Sequence, residues 1–455
     1  MLTRIADVAV RRRRLVLIVT VLIFVLAGAI GGGVAEHLST GGFSDPDTES
    51  TKVNEVLADE FGQGDPEVVL VVTNPNGSVD DPAAAAAGQA LTERLAAEDG
   101  LYNVVSYWSL GSPPPLRSDD GDTALVFAAI DGTDDDYDEV AEALAPVYNG
   151  EIDGLEVQLT GYAEVFRQVG HTIEKDLMRA EMIALPITLI LLVLIFGSIV
   201  AASLPLAIGA LSIVGTFFVL RLVASVTEVS VYALNMTTAL GLGLAIDYSL
   251  FVISRYREEV RNGLSPHDAV KRSVRTAGRT VAFSSLTVAA SLAALLLFPF
   301  AFLRSFAYAG IAVVGVAGFA SVIVLPAMLA ALGPKLDKGR VLKREPKEVG
   351  EGFWHRVATT VMKRPVGIAT AVIALLLFLG TPFLGIEFGL PDDRVMPASN
   401  PARAALDDVR DGFSSNESMP VQVIATGIGD PSARAADIDV YAAALSAVPD
   451  VVRVD

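Results

Sequence analysis

Cysteine is absent from the 455 residues, which excludes disulfides, thiolate metal sites, iron–sulfur clusters and thiol catalysis. Histidine is scarce: His37, His171, His267 and His355 stand far apart, without the spacing that metal ligands need. No glycine-rich phosphate loop is visible, so an ATP-driven engine is not expected, and no cofactor is expected either. Charge is thin as well. Only 19% of residues are charged while 52% are hydrophobic, and the mean hydropathy is +0.50. The apolar residues lie in long uncharged blocks rather than short amphipathic runs, and that decides the class: an integral membrane protein, mainly α. The net charge of −19 argues against nucleic acid as a partner, although its distribution carries more information than its sum.

A membrane-crossing helix needs about 20 apolar residues, each rising ~1.5 Å. Blocks of that kind are Leu15–Ala35, Met182–Ala202, Leu204–Leu220, Ser230–Ile253, Thr280–Phe300, Phe306–Leu332 and Val366–Leu384. The first exceeds a usual ~7–15 residue signal-peptide core, so an uncleaved span is expected. Lys and Arg set the orientation. The segment before the first block holds Arg4 and Arg11–Arg14, residues 254–279 hold seven basic side chains, and residues 333–365 hold nine. The short loops on the other side carry Arg221 and Arg304 alone. Basic segments stay in the cytoplasm, which predicts an inside N-terminus in residues 1–14 and a cytoplasmic linker at 333–365. The stretch at 254–279 reads as basic and amphipathic, lying along the inner membrane face on anionic lipid.

Both large loops, 36–181 and 385–455, then fall outside. The first holds 31 Asp and Glu against 6 Lys and Arg, a solvated face that keeps an external domain soluble. Its pattern predicts strands at Glu67–Val72, Asn103–Trp108, Ala124–Ala129 and Leu155–Thr160, with helices at Pro82–Ala97 and Asp136–Ala145. That βαββαβ order is the ferredoxin-like α+β arrangement.

The chain also repeats itself with a period of about 350 residues. RRRRLVLIVTVLIFVLAG around the first span parallels MKRPVGIATAVIALLLFLG around the seventh, and TKVNEVLADEFG from Thr51 parallels NPARAALDDVRDGF from Asn400. DPEVVLVVT from Asp65 parallels ESMPVQVIAT from Glu417, and the helix after Asp81 parallels the segment after Asp430. Asp455 stands at the equivalent of the second strand of the first external domain, so 385–455 reads as an incomplete second one, whose half-built sheet would leave edges open. The expectation is a functional protein with a missing C-terminal half or a second chain, and twelve spans in roughly 700 residues.

Chemistry concentrates on the fourth block. In VSVYALNMTTALGLGLAIDYSLFVISRYREEV, Asp247 is the only charged residue before Arg255. Eight residues place it ~12 Å inside the basic boundary, too deep for a short side chain to reach the headgroups. A charge in hydrocarbon costs about 2.5–3.5 kcal/mol, and desolvation favours the neutral acid, so a proton can come and go there. Met236, Leu240, Gly243 and Asp247 form one stripe, and Gly243 leaves room a turn from the carboxyl; Gly241 and Ala245 make a small-residue pair on another face. Tyr248 points ~100° away from Asp247 and reads, on position alone, as packing. On the fifth block Thr280, Ser284, Thr287 and Ser291 make one polar edge, which serves either close packing or a proton path. Thr287 stands eight residues from Arg279, level with Asp247, and is expected to bond it, with Ser284 and Ser291 a turn to either side. Gly310, Gly315, Ala317 and Gly318 on the sixth block read as packing alone.

GLGLAIDYSLFVISRYREEV (Gly241–Val260), AGRTVAFSSLTVAASLAALLLFP (Ala277–Pro299) and VLPAMLAALG (Val324–Gly333) resemble the MMPL family, large actinobacterial proteins of the resistance–nodulation–division (RND) superfamily. The resemblance covers the first half of the family pattern and the start of the second. It implies an RND-type helix bundle with an extracytoplasmic porter domain. It also implies export of lipids or other hydrophobic molecules across the cytoplasmic membrane, driven by the proton motive force: a secondary transporter rather than an enzyme. Asp247 and Tyr248 match the family's proton-relay pair on the fourth helix, whose counterpart on the tenth lies beyond this chain. A non-transporting sensor or scaffold, or a relative assisting protein export, is the competing expectation.

Overall fold

A computed structural model describes all residues except 1, 40, 43, 44, 46, 47, 62–65, 133, 338, 340, 342–352, 387–391, 414–420, 422, 426, 450, 452, 453 and 455. Parts of the linker at 333–365 and of the second repeat, including the segment from Glu417, therefore lie outside the described residues.

Among the described residues, seven helices are long and apolar enough to cross a membrane: Arg13–Gly31, Tyr162–Phe196, Ile199–Ala224, Ala233–Arg261, Pro266–Leu297, Ala301–Leu332 and Pro365–Gly385, here spans one to seven. Several extend well beyond their apolar blocks. Span two begins inside the acidic domain and runs 35 residues, about 52 Å, without a break. The boundary between spans two and three falls at Gly197–Ser198, not near 203 as hydropathy suggests. Gly197 takes the left-handed conformation at φ 68°, and the Ser198 hydroxyl accepts from the Ala201 N–H. A glycine stop and a serine N-cap outweigh uninterrupted hydropathy.

At residues 254–279, read above as a stretch along the inner membrane face, span four continues to Arg261, and span five starts at Pro266, behind a Ser265 cap that accepts from the Asp268 N–H at 3.2 Å. The charges of this stretch are partly paired within the extensions, Arg255 with Glu258 at 2.7 Å and Glu259 at 2.5 Å, and Arg272 with Glu259 at 3.4 Å. The N-terminal residues fold too. Helix Leu2–Arg11 buries Ala6 and Ala9 against span five, tied by Asp7–Lys271 at 3.0 Å. Spans three to six form the packed core, with Ile208, Ala245, Val252, Val281, Ala317 and Leu325 in one cluster. Span seven buries nothing against the rest.

The acidic domain between spans one and two carries a five-stranded sheet in the order β2-β3-β1-β5-β4, from β1 Val68–Thr73, β2 Leu101–Ser106, β3 Thr123–Ile130, β4 Gly150–Ile152 and β5 Leu155–Thr160. All its pairs are antiparallel; Leu70 faces Val126 on β3 and Leu159 on β5. Helices Pro82–Leu95 and Asp134–Leu144 cover one face, over Leu70, Val126, Val157 and Leu159. Val69, Val71, Leu125 and Phe127 point to the other face, which receives Ala405, Val409 and Phe413. Those residues belong to and end the helix Pro401–Gly412, so the second repeat lends the first domain its lid. Burial on both faces explains why VVLVVT is a continuous apolar run rather than an alternating one. Asn400 caps the lid helix, Thr160 Oγ1 donates to the Ala402 carbonyl at 2.9 Å, and Arg410 pairs with buried Asp393.

Candidate functional site

Asp247 lies on an open face of span four. Its side chain is exposed on the bundle exterior and has no hydrogen bond or ion pair with any described residue. A Cβ on Gly243, one turn earlier, would meet nothing within 4 Å, so that turn is open as well. The opposite side is closed. A Cβ on Gly241 would stand 3.0 Å from Ile213 and 3.1 Å from Val313, and Ala245 is fully buried beside Gly209. Small residues at Gly241 and Ala245 let span four sit tightly on spans three and six, which leaves Gly243 and Asp247 facing out together. Tyr248 turns inward with 4% exposure, and its hydroxyl is buried without a partner among the described residues.

The expected bond between Thr287 and Asp247 is not made. Thr287 Oγ1 donates to the Phe283 carbonyl at 2.9 Å and Ser291 Oγ to the Thr287 carbonyl at 3.0 Å, while Thr280, Thr287 and Ser291 are exposed and Ser284 is half-buried. The equal depths follow from helix rise, but depth says nothing about rotation. Back-bonding to the helix's own carbonyls satisfies these hydroxyls without span four. Thr280 and Ser284 instead line a shallow groove with Arg279, Phe283 and Leu286. The relay extension through Ser284, Thr287 and Ser291 is thus withdrawn.

Hydroxyls that the sequence reading passed over are the ones inside. Ser249 on span four and Ser321 on span six are fully buried, and together with Ser285 on span five their oxygens have no partner among the described residues. No sequence signal marks the three serines; Pro326, with no N–H for the Val322 carbonyl four residues back, marks only the backbone beside Ser321. Span six widens to a π turn at Ala320–Val324 there.

The acidic domain also holds a polar knot on Asp80. Tyr107 Oη donates to Asp80 Oδ1 at 2.6 Å, and Arg117 pairs with the same carboxylate. The Tyr107 bond, then Arg117, hold the Asp80 carboxyl below the usual carboxylate range, while burial and then Asp80 push the Tyr107 phenol up. Among the described residues, no group of His, Cys, Asp and Glu could hold a metal ion.

The model of the MMPL family matches residues 42–368, a stretch that runs from the acidic domain through spans two to six. The chain belongs to the MMPL family. It is 31% identical over 479 residues to the trehalose monomycolate exporter MmpL3 of Mycolicibacterium smegmatis, covering 95% of this chain and 46% of that one. It is 32% identical over 447 residues to the protein of the same name from Mycobacterium tuberculosis, at 91% and 47% coverage. A third relative, the mycolic acid-containing lipids exporter MmpL11 of Mycolicibacterium smegmatis, is 30% identical over 437 residues, at 92% and 45%. The chain spans about half the length of these relatives. It is a multi-pass membrane protein of that family.

Proposed function

We propose that this chain carries the first half of a transporter that uses the proton motive force to export lipids or other hydrophobic molecules across the cytoplasmic membrane. The observation that carries this reading is the open face of span four. A carboxyl about 12 Å from the basic boundary, unpaired among the described residues and beside a glycine that leaves space, is costly in hydrocarbon unless it faces a partner half or a proton path. A second half of like architecture, from the same polypeptide or another, would cover that face, consistent with the internal repeat and the greater length of the relatives. Asp247 then binds and releases the proton, and Tyr248 is its neighbour in the relay. No cofactor enters this scheme. The basic ends of the spans lie in the cytoplasm with the N-terminus inside. The acidic domain is outside and ferredoxin-like, a porter unit. Its sheet places β1 between β3 and β5, with one helix after β1 and another after β3, and β4 is a hairpin addition.

Energetics narrow the substrate path. One proton crossing a ~100 mV potential releases about 2.3 kcal/mol. Exposing an acyl chain to water costs about 0.8 kcal/mol per methylene, so four methylenes already exceed that supply. The lipid must therefore stay in an apolar passage through the external domains. The names of the relatives favour a lipid of this kind. Deleting the gene and comparing envelope lipids tests the reading. A lipid depleted from the outer envelope and accumulated inside is expected; an unchanged envelope would overturn it.

A further inference from the structure

Hydroxyls within the bundle fall into two groups. Ser212, Thr216 and Thr237 donate to carbonyls four residues back, at 2.8, 2.7 and 2.9 Å, as Thr287 and Ser291 do. That is the default for a hydroxyl on a helix away from water. Tyr248, Ser249, Ser285 and Ser321 depart from it. Their oxygens are buried and bond nothing among the described residues, and Ser230, at the opposite end of span four, is the one other serine of the bundle in that state.

The four lie on three mutually packed helices, spans four, five and six. Ser249 follows Tyr248 on the inward face of span four, and Tyr248 shares a core cluster with Val281, Ala317, Ala320 and Val322. Ser285 stands one turn beyond Val281, and a Cβ on Gly318 would lie 2.5 Å from its oxygen, so Ser285 fills the notch that this glycine leaves. Ser321 is three residues past Gly318, inside the π turn. Ser249 and Ser285 each lie six residues from the arginine at the basic end of their span, Arg255 and Arg279, hence at a common depth of about 9 Å. A buried hydroxyl left unbonded is destabilising, and each of these serines could have turned to its own helix carbonyl instead. Hydroxyls that forgo that bond on packed helices, two of them at one depth and a third inside a widened turn, supply the several polar partners that an internal water requires.

We propose that Tyr248, Ser249, Ser285 and Ser321 line an internal site that binds ordered water, on the far side of span four from Asp247. Resting on the proton reading above, the role of this water is to wet Tyr248 from within, so that the relay pair faces two hydrated regions rather than one. The face bearing Asp247 serves one, and the hydroxyl site serves the other.

Oxidative footprinting of the intact protein tests the site, because radicals formed from bound water label the side chains that touch it. Tyr148 is the dry control, fully buried in the acidic domain with its hydroxyl bonded to Glu98 at 2.8 Å. Tyr248 should be labelled several-fold faster than Tyr148. Filling the site with Ser249→Val and Ser321→Val should bring it down to the Tyr148 rate, with slow labelling of Tyr256, buried in the same bundle cluster, showing that the fold persists. Labelling of Tyr248 as slow as Tyr148, or unchanged by the filling substitutions, would overturn the site. Lipid export separates the two readings. The filled variant should export several-fold more slowly, and normal export by it would remove the role given to the water. Normal export by Asp247→Asn would remove the proton reading and leave the labelling result standing.

Discussion

Replacing Val409 with alanine should loosen the lid that the second repeat lays on the first domain. Val409 is 1% exposed and packs with Val69, Val71, Leu125 and Phe127 on the face of the sheet that Pro401–Gly412 covers. The substitution removes about two methylene equivalents at ~0.8 kcal/mol each, and incomplete collapse around the gap raises the loss to about 2 kcal/mol. Because about 1.4 kcal/mol is tenfold, the lid-open population should rise roughly 10- to 30-fold. Hydrogen exchange at the amides of Pro401–Gly412 reads that population directly, since local opening sets their rates. Val440, 71% exposed on helix Ala435–Ser446, is the control: Val440→Ala should leave these amides unchanged. If Val409→Ala exchanges as slowly as the parent, the helix is held by its polar ties to Thr160, Asp119 and Asp393 rather than by its apolar face.

Acidity should tighten the same lid. Partial burial, then the carboxylates of Asp407, Asp411 and Glu156, hold the Asp408 carboxyl above its usual range. A raised acid binds its proton more readily when docked, so its effect on stability falls as pH rises from the unfolded value, near 3.8, through the docked one. Asp408→Asn should therefore slow exchange of the lid at neutral pH and flatten its response to pH in that window; faster exchange would refute the assignment. In the bundle, Gly318→Val places a Cβ 2.5 Å from the Ser285 oxygen and 3.1 Å from its Cβ. Overpacking of this kind costs about 1–3 kcal/mol, so the purified protein should melt at a lower temperature, and an unchanged melt would mean spans five and six part easily.

Hydropathy alone was enough to find the seven spans among the described residues, because the length of an apolar run is a property of a single segment. Their ends were less legible. Amphipathic extensions such as Val260–Arg261 and Pro266–Gly278 are helical through packing and capping, which a window of apolar residues does not see. The separation of spans two and three was written in Gly197–Ser198, a local signal that hydropathy averages away. Alternation of strands and helices in the acidic domain was readable, but the lid was not: nothing in Pro401–Gly412 announces a partner more than 270 residues earlier, at Thr123–Ile130. At the site, a lone acid within an apolar run made Asp247 conspicuous. Rotation about a helix axis is set by neighbours, so Thr287, placed at the right depth, turned out to face elsewhere. Buried Ser249, Ser285 and Ser321 were hidden for the opposite reason, since a serine in a helix is ordinary until its oxygen is seen to lack a partner.

The carboxyl of Asp247 is the centre of the proposed proton-driven mechanism. Asn at this position keeps the shape and the neighbours, including the open turn at Gly243, and removes only the ability to take up and release a proton. Asp247→Asn, made in the transporter in its own membrane with insertion and protein level confirmed, should abolish lipid export. Export at the parent rate by that variant would contradict the proton-driven mechanism.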